Sequence, residues 1–205
     1  MVPAHVHISK GVSKLSPNIP SVSLPVGLTC RENAPCKEKC YASKGRFCFR
    51  RNKSLLDLNM EIWKQDPLQY ERDVVIAAFS SRFFRWHVAG DIPDANYLEM
   101  MVRVAAGLPG TKFLAFTKKF ELINDYIASH PDEIPGNLSI VLSAWGDFLP
   151  ENPFNLPVAY VRLKKGDNKI PPHARPCSKF CGDCVVTGKD CWNLRLGEAV
   201  VFDEH

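Results

Sequence analysis

Between Phe83 and Leu163 the chain switches repeatedly between two hydrophobic periods. Apolar runs rich in β-branched and aromatic residues predict strands at Phe83–Ala89, Lys112–Thr117, Leu138–Ala144 and Val158–Leu163. Between them apolar residues recur at helical spacing. Asp94 reads as the cap of a helix with Tyr97, Leu98, Met101, Val102 and Ala105 on one face, closed by Gly107. Phe120–Ser129 reads as the next helix, with Ile123 and Ile127 inward. Upstream, Ser54–Gln65 predicts a helix that gathers Leu55, Leu58, Ile62 and Trp63, and Asp66-Pro67 opens another bearing Tyr70, Val74, Ala77 and Ala78. Residues 1–29 hold one alternating segment, Ile19–Leu24, and its prolines predict an edge strand. Strand–helix alternation implies parallel pairing and an α/β fold. Four to five strands are too few for an eight-fold barrel, so a partial (β/α) barrel or an open parallel sheet is expected, with Cys-rich loops at both ends of the chain.

Parallel α/β folds carry their sites at the carboxyl ends of the strands. Four segments fall there: His87–Asp91, Thr117–Lys119, Ser143–Trp145 and the residues after Leu163. Gly90 would let a ligand approach the backbone, Asp91 would accept from an amino group or hydroxyl, and His87 would act in acid–base chemistry or orient a ligand. Ordinary turn chemistry is the competing explanation of Gly90-Asp91, with Asp91 capping the helix that follows. Thr117 and Ser143 are small polar residues of a kind common at strand ends, and Trp145 suits a core or lid aromatic.

The chain has 205 residues, 45% hydrophobic and 23% charged, enough apolar material for one ordinary domain and too much for wholesale disorder. No run of 18 apolar residues exists, so no transmembrane helix and no membrane partner are expected. The first ten residues lack an apolar signal core, which points to the cytoplasm. An α/β domain over 1–170, including the Cys loop 30–48, and a metal-binding segment over 171–205 are the expected divisions.

The cysteines change the picture most. There are eight, in two groups of four. In a reducing compartment disulfides are disfavoured, and clustered thiolates are chiefly metal ligands selecting zinc, copper(I) or iron–sulfur clusters. Cys177, Cys181, Cys184 and Cys191 follow C-x₃-C-x₂-C-x₆-C, with Gly182 and Gly188 permitting tight reversals. Only one C-x₂-C knuckle is present, whereas structural zinc usually takes two. A 4Fe–4S cluster therefore suits the group at least as well, with zinc the alternative. Cys30, Cys36, Cys40 and Cys48 are looser, C-x₅-C-x₃-C-x₇-C. Cys48, the most remote, has the competing explanation of a small buried apolar residue. One or two clusters are expected.

Lys37, Lys39, Lys44, Arg46, Arg50, Arg51 and Lys53, interleaved with Tyr41, Phe47 and Phe49, also have the composition of a single-strand nucleic-acid surface. A solvated basic loop balancing an anionic cluster explains them equally well. Charge favours the second explanation. The formal +4 falls to zero if all eight cysteines are thiolates around two dipositive metal cores.

Several stretches together resemble the phage-encoded gene product 88 family over about residues 15–200: Ser23-Leu24-Pro25, Cys30, Cys36 and Cys40, then Phe84-Arg-Trp-His87-Val-Ala-Gly90-Asp91, then Phe113-Leu-Ala-Phe-Thr117-Lys118, and finally Cys181-Gly-Asp-Cys184 and Cys191-Trp192. Its broader likeness is to radical S-adenosylmethionine (SAM) enzymes. Those are partial (β/α) barrels with a three-cysteine 4Fe–4S cluster after the first strand and a Gly-rich, acid-ended motif at the second that binds the amino group of SAM. The resemblance implies a cluster on Cys30, Cys36 and Cys40, SAM near His87, Gly90, Asp91 and Thr117, an auxiliary four-cysteine cluster at the C-terminal end, and an unknown substrate. The compact C-x₃-C-x₂-C spacing of those enzymes appears here in the C-terminal group instead. If Cys48 closes the first cluster, no iron is left for SAM, and a closed-cluster protein or a metal-stabilised binding protein is the alternative.

Overall fold

The computed structural model describes residues 5–11, 15–16, 18–163 and 169–204. Among these the chain forms eight strands: β1 (Ile8–Ser9), β2 (Ser21–Val22), β3 (Phe83–Trp86), β4 (Lys112–Thr117), β5 (Leu138–Ser143), β6 (Val158–Arg162), β7 (Arg175–Pro176) and β8 (Ala199–Asp203). The helices are α1 (Arg50–Gln65), α2 (Pro67–Phe79), α3 (Ala95–Gly107), α4 (Phe120–Ser129) and α5 (Cys181–Thr187). The expected strand-end segment just after Leu163 falls on residues 164–168, outside the described residues.

All the strands join one sheet in the order β1-β2-β3-β4-β5-β6-β8-β7. From β2 through β6 to β8, neighbours pair in parallel and in sequence order; β1 lies antiparallel on β2. The sheet is open and does not close into a barrel, which resolves the two expected architectures in favour of the open parallel sheet.

Ile19–Leu24 forms no edge strand. Ser21 and Val22 pair on both sides, with β1 and β3, and Pro20 stands just ahead of them, where its carbonyl accepts from Arg85 and its missing N–H is not needed. Helix α1 starts at Arg50 rather than Ser54, because its first turn is polar and carries no apolar period. Strand β8 is also additional to the expected set. Its Ala-Val-Val-Phe run carries no period-two pattern, and it is a strand because β6 lies beside it. Residues 171–205 thus contribute an interior strand to the same sheet. No helix among the described residues is long and apolar enough to cross a membrane.

Side chains alternate across a strand, so each strand sorts its residues between two faces. Phe84, Trp86, Phe113, Ala115, Leu138, Ile140 and Leu142 pack with Trp63, Tyr70, Val74, Tyr97, Met101 and Ile123, so α1 to α4 all cover one face. Phe83, Leu114, Val141, Ala159 and Val200 face the other way and meet Leu15, Ile19 and Trp192, with Cys177, Cys181 and Cys191 packed alongside. Helices on a single face are what sequential parallel order produces; a doubly wound sheet would carry them on both. The opposite face is left for the chain ends and the C-terminal cysteines.

Asn59 of α1 ties the N-terminal strands to this frame. It is fully buried, its Oδ1 accepts from His7 N–H at 2.7 Å, and its Nδ2 donates to the carbonyls of His7 (3.1 Å) and Ser23 (2.9 Å). Asn59→Ala is expected to cost about 2–4 kcal/mol, because three backbone groups lose a buried partner at once. Urea denaturation measures it, and a loss under about 0.5 kcal/mol would show that water replaces the side chain.

Candidate metal centres at the strand ends

The loop from β2 to α1 carries the first cysteines across the carboxyl end of β3. Leu24 N–H donates to Ala89 O at 3.0 Å, Asp91 N–H donates to Thr29 Oγ1 at 3.0 Å, and Thr29 Oγ1 donates to Pro25 O at 3.0 Å. The Tyr41 hydroxyl donates to the Val88 carbonyl. Gly90 sits under this loop with φ +81°, and a Cβ there would lie 2.6 Å from Leu24 O and 2.8 Å from Thr29 Oγ1. The close approach expected of a ligand at Gly90 is therefore made by the chain itself.

Cys30, Cys36 and Cys40 are half-buried in this loop. Burial pushes the Cys30 thiol up, and Asp91, Cys40 and Cys36 add to the rise, so these groups lie within electrostatic reach of one another. Cys48 has a different setting. It is exposed, and its thiol donates to Ser43 O at 2.8 Å from the short 3₁₀ turn Gly45–Cys48.

Asp91 is buried, and its carboxylate knots the strand ends together. One oxygen accepts from Ile92 N–H at 2.8 Å, the other from Lys118 N–H at 3.0 Å, and the Thr117 hydroxyl is a third donor. A carboxylate has about four acceptor positions, so room for one further donor remains. Burial raises its pKa while these bonds lower it. Asp91 caps no helix; Asp94 caps α3 by accepting from Tyr97 N–H at 2.9 Å. Thr117 Oγ1 also accepts from Lys119 N–H at 3.0 Å. Ser143 ends β5, and Trp145 closes a bridge with Phe148 under the Lys118 ammonium, 5.9 Å from the ring centre.

His87 is buried in a left-handed backbone conformation at φ +55°. Its Nε2 lies 3.1 Å from Tyr97 Oη, which lies 2.7 Å from Tyr70 Oη, and its Nδ1 has no hydrogen-bond partner. Burial first, and the Arg85 charge second, push its pKa down to about 3, so the ring is neutral at physiological pH.

The second cysteine group lies against the sheet face that the long helices leave free. Cys177 follows β7, with its N–H on Val201 O at 2.8 Å. Cys181 and Cys184 stand three apart on α5 and share a helix face. Gly188, at φ +69°, ends α5 in the left-handed cap that glycine favours; Gly182 lies inside the helix, so the reversal is made at Gly188 alone. Cys191 opens the 3₁₀ turn Cys191–Asn193, anchored by buried Trp192, whose indole N–H donates to Phe84 O at 2.8 Å. Burial pushes Cys181 up to about 11 and Cys191 up to about 12; neighbouring thiols add to the rise and the Arg85 charge opposes it.

Lys179 adopts φ +76°, a conformation costing about 1 kcal/mol or more in a non-glycine residue, and its N–H points at Cys177 Sγ, 3.4 Å away. Cys184 Sγ lies 2.8 Å from Ser178 Oγ. Among the described residues no three His, Cys, Asp or Glu side chains stand close enough to hold a metal ion as they lie, so closing either set on a metal requires the thiols to turn inward. In donor chemistry the sets do fit a soft metal or an iron–sulfur core, with several sulfurs on short loops and an amide aimed at one of them.

Arg85, to which sequence reasoning assigned no role, lies between the two groups. Tyr41 of the first loop and Cys181 and Cys191 of the second all fall within its electrostatic reach. The signal was present in Phe83-Phe-Arg-Trp86: a cation in the middle of an otherwise aromatic strand.

The protein is thus a singly wound, open-sheet α/β protein with one thiol-rich segment over its strand ends and another on the face its long helices leave free. It belongs to the gene product 88 family, whose sequence profile matches residues 6–188, a span holding every cysteine except Cys191. No curated protein and no solved structure matches the chain.

The neutral state of His87 is testable by pH. The ring is held at a folded pKa of about 3 against 6.5 for the free group, so its contribution to stability is complete above pH 6.5 and is lost as pH falls toward 3. Wild type is expected to lose about 1.4 kcal/mol per pH unit from this group between pH 6 and 4, and His87→Asn to lack that slope. Urea midpoints across the range measure it; parallel slopes for both proteins would show that His87 does not titrate this way.

Proposed function

We propose that the chain is an iron–sulfur protein of the phage type, working in the reducing cytoplasm of the host cell. One centre is held by Cys30, Cys36 and Cys40, and a second by Cys177, Cys181, Cys184 and Cys191. The carrying observation is the sorting of the cysteines. Cys36 and Cys40 lie within electrostatic reach of Cys30, which feels the Asp91 charge; Cys177 and Cys184 lie within reach of Cys181, with Arg85 near Cys181 and Cys191; and the Cys48 thiol is turned instead to the Ser43 carbonyl. Structural zinc closes its sphere with four protein ligands, so a three-thiolate set favours a cluster with one iron open to a small molecule.

The order of parts supports SAM as that small molecule. The cysteine loop follows β2, the next parallel strand is followed four residues on by Gly90-Asp91, and the remaining strands continue in sequence; this is support by fold-level analogy. A reduced 4Fe–4S cluster would supply one electron to the bound molecule. The chain's own residues do the rest. Asp91 offers its remaining acceptor position to an amino group, Thr117 and Lys118 hold that carboxylate in place, and His87, neutral and braced by Tyr97, keeps its free Nδ1 for one hydrogen bond.

Anaerobic reconstitution tests the reading. Iron and acid-labile sulfide are expected in equal amounts, enough for two clusters. Cys48→Ala should leave the content unchanged, Cys36→Ala should halve it, and SAM should shift the paramagnetic spectrum of the reduced protein. Zinc without sulfide would overturn the assignment, and an unchanged spectrum at millimolar SAM would remove the SAM half of it.

A second reading rests on a separate observation. Lys44, Arg46, Arg50, Arg51 and Lys53 are exposed or half-buried and make no ion pair among the described residues, whereas Lys39 pairs with Glu204. Helix α1 begins among these cations with no acidic residue in its first turn and no side-chain cap, an arrangement its dipole disfavours, and Phe49 is 63% exposed beside them. Phosphates and stacked bases of a single-stranded nucleic acid fit such a surface. Wild type is expected to shift a single-stranded oligonucleotide at low salt. Arg50→Glu/Arg51→Glu should weaken that binding and reduce its salt slope by about 0.7 for each phosphate that is no longer neutralised. No shift at low salt removes this reading.

A further inference from the structure

Arg85 is a half-buried cation with no carboxylate partner among the described residues. Its Nε–H donates to the Trp86 carbonyl at 3.1 Å, and its guanidinium carbon stands 4.1 Å from the centre of the Phe116 ring. Neither contact neutralises its charge, and among the described residues no carboxylate pairs with it. Drawing an unpaired charge even partly out of water is costly, and the cost grows with burial. Register places Arg85 beside Ser21 and Leu114 on the face that the long helices leave free, and Ser21 Oγ is itself buried without a partner.

Besides the neutral His87 ring, the groups in reach of the guanidinium are the Tyr41 hydroxyl and the Cys181 and Cys191 thiols. As thiols these carry no charge, and Arg85 stays uncompensated. Once four cysteines lose their protons to solvent and bind a dipositive core, the centre carries two negative charges, and Arg85 has its partner. The other charges near the centre act differently. Arg175 reaches Cys191 while its guanidinium contacts the Asp190 carbonyl at 3.4 Å; Asp190 is an anion whose oxygens hold the Asn193 amide; Lys179 is exposed and pairs with Asp203 at 3.6 Å.

We infer that Arg85 is the built-in counter-charge of the Cys177, Cys181, Cys184 and Cys191 centre: a positioning residue that lets a negatively charged metal–thiolate group rest against the buried face of the sheet. This rests on reading those four cysteines as metal ligands. It adds that the sheet itself, through β3, is half of the site. A sign reversal follows that a purely structural role would not produce. In the metal-free protein Arg85 is a liability, and an apolar side chain of similar length on Phe116 should be tolerated or stabilising. In the metal-bound protein the same replacement removes the compensating charge.

The experiment is an anaerobic titration of the metal-free full chain with Co²⁺, read by its thiolate-to-cobalt absorption. The band of the C-terminal centre is identified by its loss in Cys181→Ser and its persistence in Cys36→Ser. Arg85→Met is expected to weaken Co²⁺ binding at this centre at least tenfold, and Arg85→Lys to hold it within about threefold of wild type. Urea midpoints of the metal-free proteins should show Arg85→Met no less stable than wild type. Equal Co²⁺ affinity in wild type and Arg85→Met overturns the inference. So does a metal-free Arg85→Met chain that unfolds much earlier, a loss in Arg85→Lys as large as in Arg85→Met, or a wild-type C-terminal centre that takes up no Co²⁺. Co²⁺ binding that depends on Arg85 in a chain that fails to assemble iron and sulfide would leave the counter-charge in place and remove the iron–sulfur reading alone.

Discussion

Two-residue alternation along parallel strands is the constraint from which the rest of this molecule follows. Each residue of β3, β4 and β5 is committed to one side of the sheet, and sequential pairing puts all four long helices on one of those sides. The other side must still be covered. It is closed by Leu15 and Ile19 from the N-terminal part and by the cysteine-bearing segment that Trp192 pins to Phe84. With no long helix for that face, the chain uses its C-terminal thiols, two of them on the short α5, as part of the cover.

The strand ends are held by a second, smaller device. Asp91 takes hydrogen bonds from two backbone amides and a hydroxyl, while its own amide holds Thr29 of the cysteine loop. Each such bond is worth about 1 kcal/mol net, and together they join β3, β4 and the first cysteine loop into one unit. Gly90 is indispensable to that unit, because any side chain would strike the Leu24 carbonyl. Ligand binding and loop docking therefore make demands on the same residues, and a substitution at Gly90 or Asp91 moves Cys30, Cys36 and Cys40 as well as any molecule bound there.

Charge ties the two cysteine groups to each other. On the proposed reading of the thiols as metal ligands, the net charge of +4 is balanced by the centres rather than left for a polyanion. Arg85, between Tyr41 and the C-terminal thiols, gives that charge balance a location. The cations from Lys44 to Lys53 are exposed and meet solvent around the uncapped start of α1.

Much of this was legible in the residues alone. Strand β4 and helix α4 have the bounds that their apolar periods predict, Asp66-Pro67 and Asp94 open helices where capping chemistry puts them, and the two groups of cysteines stand out by spacing. Periodicity and capping are local, so the sequence by itself determined the helices, the central strands, the α/β class and the presence of two thiol-rich segments. Tertiary structure alone decided which side of the sheet each segment covers. It seated Ser21 and Val22 inside the sheet rather than at its edge, and it made Ala199–Asp203 a strand. It committed Gly90 to the chain's own loop and brought Arg85 to Cys181 and Cys191. The reason is physical: a residue's face, its burial and its ionic partners depend on what packs from far along the chain, and no window of neighbouring residues contains that information.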